Sequence, residues 1–105
     1  MHEAARFRPL LVKLRSVLEQ QGGYGADAIE GALNGSDADV EAFLISNILW
    51  GGAGSIADQA GSDRTSRRPI EAVLIELGEE QARVGKTNER SDMWVEAFRR
   101  WQRDG

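Results

Sequence analysis

In one stretch of this chain after another, apolar residues recur at intervals of three and four, and nowhere do they alternate with period two over the length of a strand. That confines the fold to helices packed on helices. Phe7, Leu10, Leu11, Leu14, Val17 and Leu18 mark one face of a first helix over 7–21, with Pro9 in its first turn and Gly22 and Gly23 as its stop. Ala26, Ile29, Ala32 and Leu33 trace a shorter second helix over 24–33. Ser36 followed by Asp39 has the spacing of a capping box, which opens a third helix running to about Leu49. Its Val40, Phe43, Leu44, Ile45, Ile48 and Leu49 cover more than one stripe, which predicts the centre of the core.

A fourth helix is expected after Pro69 and a cap at Thr65 or Ser66, carrying Ile70, Val73, Leu74 and Leu77 and ending at Gly85. Gly78 inside it would admit a neighbouring helix at close range. The last helix, from Ser91 or Asp92, carries Trp94, Ala97, Phe98 and Trp101. Its acids, Asp92 and Glu96, come early and its bases, Arg99, Arg100 and Arg103, come late, as the helix dipole favours. The expected fold is all-α, a single-domain bundle of about five helices over 1–105, with a glycine-rich connection between the third and the fourth.

Composition then narrows the function classes. Leu, Ile, Val and Phe make 24 of 105 residues, above the roughly 20% below which a charged chain stays unfolded. A core this modest favours burying further apolar surface between subunits, so a homo-oligomer, most simply a dimer, is the expected partner state. The net charge of -4 disfavours nucleic acid and anionic membranes as partners. There is no cysteine, and the one histidine is His2. Disulfides, thiolate nucleophiles, zinc-cysteine sites and histidine general bases therefore have no support. No catalytic residue, metal site or cofactor is expected. The first residues lead into a charged amphipathic segment, so neither a signal peptide nor a membrane span is expected, and the cytoplasm is the default location.

The segment Trp50-Gly-Gly-Ala-Gly-Ser-Ile-Ala-Asp58 differs in composition from everything around it. Ser55 and Asp58 repeat the capping-box spacing, so a short helix is expected just after the glycines. Glycines before a helix start allow backbone N–H groups to approach an anion closely. Arg64, Arg67 and Arg68 follow in the next loop and offer guanidinium groups that grip phosphate or carboxylate. Trp50, Gly52, Gly54, Ser55, Asp58 and Arg64 are thus candidates for binding a small anionic ligand. The alternative is that the glycines only turn the chain and that the arginines are solvated.

Two phosphate-loop patterns are imitated without their context. Gly52, Gly54 and Ala57 fit a loose dinucleotide fingerprint, which requires a preceding strand where a helix is expected. Gly85-Lys86-Thr87 lacks the first glycine of a phosphate loop, since position 80 is Glu80. Asp58 and Asp63 as magnesium ligands rest only on two loop acids, a spacing that chance supplies readily. Trp94, Phe98 and Trp101 form an aromatic stripe suited to a core or a subunit interface, and they are the candidate interface residues.

The run from Trp50 to Asp58, with Met93-Trp-Val-Glu-Ala-Phe98 downstream, resembles a set of small bacterial proteins of unknown function. The likeness covers most of the second half of the chain and is weak before residue 40. It implies a free-standing bacterial helical domain and carries no activity, ligand or catalytic residue with it. Taken together, the expectation is a non-enzymatic helical interaction module that self-associates. The alternative is a small-molecule or anion-binding protein, with at most a minor enzymatic activity, built on the glycine-rich turn.

Overall fold

Seven helical elements and no strand make up residues 4–62 and 68–104, the part of the chain that the computed structural model describes. They are α1 (Ala4–Gln20), α2 (Ala26–Leu33), α3 (Asp37–Leu44), α4 (Asn47–Trp50), α5 (Ile56–Ser62), α6 (Arg68–Arg83) and α7 (Glu89–Asp104). Six span seven residues or more and α4 is a single turn. The all-α architecture agrees with the periodicity. None of the described helices is long and apolar enough to cross a membrane.

The core is organised by α1 and α6. Phe7, Leu11, Leu14 and Leu18 of α1 are wholly buried, as are Ile70, Leu74 and Leu77 of α6. The two helices run antiparallel, as the ion pairs Arg6–Glu80 (2.7 Å) and Lys13–Glu76 (3.0 Å) show, the later α1 residue pairing with the earlier α6 residue. Both pairs sit at the surface and add little to stability. On one flank α2 and α3 pack against α1, tied by Arg8, which donates to the Leu33 carbonyl (2.8 Å) and to Asp37 (2.9 Å). On the other flank α7 packs against α6.

Helix ends follow the expected signals in several places. At the end of α1 the Gly23 N–H reaches back to the Leu18 carbonyl (2.8 Å), a Schellman-type closure. Ser36 and Asp39 form the complete capping box of α3, with bonds of 2.9 and 3.2 Å. Other boundaries differ from expectation. α1 starts at Ala4, a buried residue, so Pro9 lies inside the helix and not in its first turn. The carbonyl that lacks a donor there belongs to Ala5, an exposed position where water can replace it. α7 starts at Glu89, earlier than expected, because Asn88 and Ser91 cap each other reciprocally at 3.0 and 2.9 Å.

The largest correction concerns the third helix. It stops at Leu44, and a new turn, α4, begins at Asn47. Ser46 makes the break: its hydroxyl donates to the Phe43 carbonyl (2.7 Å) and accepts from the Leu49 N–H (3.4 Å). Serine competes in this way with the helical backbone for hydrogen bonds. The chain turns, so Val40, Phe43, Leu44 and Leu49 stay buried while Ile45 and Ile48 face solvent, 50% and 55% exposed. The helix expected to form the centre of the core is therefore a corner at its edge.

Candidate functional site

The glycine-rich segment leaves α4 at Trp50, whose ring is wholly buried. Its indole N–H donates to Gln81 Oε1 (3.0 Å), and Gln81 Nε2 donates to the carbonyls of Leu44 (2.9 Å) and Lys86 (2.8 Å). Gln81 is itself fully buried, so this amide satisfies three groups from α3, α4 and the α6–α7 turn at once. Trp50 is thus held by its own chain on every side.

The turn that follows uses its polar groups internally. The Ser55 hydroxyl donates to the Gly51 carbonyl (2.9 Å) and accepts from the Asp58 N–H (3.1 Å). The Asp58 carboxylate accepts from the Gly54 N–H (3.2 Å), and the Ser55 N–H reaches the Gly52 carbonyl (3.1 Å). The expected Ser55–Asp58 cap exists, with its return bond shifted one residue back because Ser55 has another partner. Gly54 adopts φ +88°, the left-handed region that favours glycine. Ser55 is 3% exposed, while Gly52, Ala53 and Gly54 are open to solvent.

Neighbours clamp the segment from both sides. The Trp94 indole donates to the Gly51 carbonyl (3.1 Å), and the Tyr24 hydroxyl donates to the Ser55 carbonyl (2.8 Å). Gln59 closes a reciprocal pair with the Tyr24 backbone, at 2.9 and 2.7 Å. Arg64, with Asp63 and Arg67, lies outside the described residues. The cation found beside the turn is Arg90: a side chain built onto Gly52 would meet its guanidinium at 3.6 Å. Arg90 borders a shallow, open depression of about 290 Å³ with Asn47, Asn88 and Glu89. Nothing in the sequence between positions 52 and 90 signals that meeting.

A second feature is the groove between α6 and α7. At its floor Gly78 and Val95 touch so closely that a Cβ on Gly78 would collide with Val95 Cγ2. The close approach that Gly78 was expected to allow is thus what joins the two helices. The groove encloses about 500 Å³. Glu79, Asp92 and Glu96 supply its acids and Arg99, Arg100 and Arg103 its bases. Arg99 donates to Glu79 Oε2 through Nε (3.1 Å) and Nη2 (2.6 Å).

The aromatic stripe is divided between core and surface. Phe98 is wholly buried, stacked on Trp94 at 5.4 Å between ring centroids and tilted against Trp101 at 5.7 Å. Both indoles are partly exposed. Phe98 therefore bears on any interface only through the two indoles it supports. Near the C-terminal end of α7, Gln102 donates to the fully buried Glu71 (2.6 Å), and Arg68 donates to Gln102 (3.3 Å). Among the described residues, no group of three or more acidic or histidine side chains converges as a metal ion would need.

Compared with known proteins, the chain matches no family model, no curated protein and no solved structure.

Proposed function

We propose that the chain is a non-enzymatic helical interaction module that associates with copies of itself. The observation that carries this reading is the exposed apolar surface where α7 meets the α3–α4 corner. Ile45, Ile48 and Met93 are each half exposed or more. They sit on two elements tied together by Asn88, whose amide donates to the Ile45 carbonyl (3.2 Å). Large apolar side chains left exposed on adjoining elements of a small domain are the material of a contact surface. Sedimentation velocity tests the reading: the wild type should gain mass with concentration, and Ile48→Glu, a change at an exposed position, should weaken that gain while the fold persists. A wild type that stays monomeric at tens of micromolar would overturn it.

A second reading, a small anion held beside the glycine turn, is favoured by one observation, the Arg90 guanidinium next to Gly52. It predicts a thermal shift with inorganic phosphate that Arg90→Ala abolishes. A ligand at 100 times its Kd would stabilise by about 2.7 kcal/mol. No shift with phosphate would remove this reading.

A further inference from the structure

Asp92, Glu96, Arg99 and Arg103 stand four, three and four residues apart on α7, the spacing that sets side chains along one stripe of a helix. All four border the groove over Gly78 and Val95. Their order is acid, acid, base, base. Among the described residues Asp92, Glu96 and Arg103 form no ion pair within the chain, and Arg99 has Glu79 alone. The helix dipole accounts for acids before bases. It does not account for their gathering on one stripe beside a groove, three of the four with no ion pair among the described residues.

A stripe of this order is its own complement when reversed. We propose that the surface it lines is occupied by a second copy of the chain, α7 against α7 in antiparallel orientation, about a twofold axis that crosses the helix between Glu96 and Arg99. Asp92 then faces Arg103 of the partner subunit, Glu96 faces Arg99 of the partner subunit, and symmetry repeats both pairs. One axis serves both pairs, because the two residues of each pair are equally distant from it. A self-complementary patch is what an isologous dimer requires. A parallel arrangement would set acids on acids and bases on bases. Met93, 55% exposed, is the neighbour of Asp92 along the helix and adds apolar contact at its edge. Ion pairs at such a surface fix register and orientation more than affinity, and salt screens them.

This inference rests on the self-association reading, and charge exchange separates the two. The experiment is sedimentation equilibrium at low salt on the wild type, Asp92→Arg, Arg103→Asp and the double exchange, each checked for helicity by circular dichroism. Either single variant places two like-charge pairs across the axis, so its dimer should weaken about tenfold or more. The double exchange should recover wild-type association, and an equimolar mixture of the two single variants should form a heterodimer. If the two charges only served the helix dipole of their own chain, the losses would add in the double variant, and that result would overturn the proposal. A wild type that associates equally well when either single change is made would overturn the α7 register and leave self-association standing. A wild type that stays monomeric would overturn both.

Discussion

The glycine-rich turn and the outer face of α7 invert what their sequences suggest. The turn is the most conspicuous segment in composition, yet its serine, its aspartate and two of its backbone donors are consumed within four residues of one another. The α7 face is ordinary in composition, yet Asp92, Glu96 and Arg103 have no ion-pair partner among the described residues. An unusual composition marks where the backbone must do something unusual. Unspent side-chain chemistry marks where another molecule can act, and on this chain the two are different places.

That contrast can be broken from either side. The largest effect belongs to the anchor of the turn: Trp50→Ala should cost about 3–5 kcal/mol in urea unfolding, because it empties a buried aromatic site and strands Gln81. Next, Gly78→Leu should cost about 1–3 kcal/mol by overpacking against Val95. Since it also forces α7 away from α6, it should disturb self-association together with stability, which Trp50→Ala should do only by unfolding the chain. Smaller again, Ser55→Ala removes the α5 cap and should cost about 1 kcal/mol, with the sedimentation of the folded protein unchanged. Finally, Arg103→Asp should change stability by less than about 1 kcal/mol, the scale of an exposed charge at a helix end, while weakening the dimer. If Ser55→Ala altered association and Arg103→Asp did not, the roles assigned to the two regions would be exchanged.

Much of the fold was legible because its signals are local. The face of α1, the stop at Gly22 and Gly23, the box of Ser36 and Asp39, the cap of Ser55 and the permissive Gly78 each act within a few residues or through a property of one residue. What was not legible depends on choices between equally good local bonds, or on distance. Val40 to Leu49 reads as an unbroken apolar helix, and only the hydroxyl of Ser46, bonding to Phe43 in place of solvent, divides it and exposes Ile45 and Ile48. Asn88 gives no clear signal as a cap because its partner is a serine and not the usual glutamate or glutamine. Gln81 and Arg90 belong to the candidate surroundings of the turn, yet Gln81 lies 31 residues from Trp50 and Arg90 lies far beyond Gly52, and no local pattern reports such a meeting.

The central proposal is that the unspent surface of α7, and not the glycine-rich turn, is where this molecule meets a second copy of itself. The most direct measurement is an amide chemical-shift map recorded while the protein is diluted from millimolar to micromolar concentration. The predicted result is that concentration-dependent shifts cluster on residues 89–103, on the neighbouring part of α6 around Gly78 and Ala82, and on Ile45 and Ile48 at the adjoining corner, with residues 51–58 unmoved. Shifts centred on 51–58, with α7 silent, would contradict it.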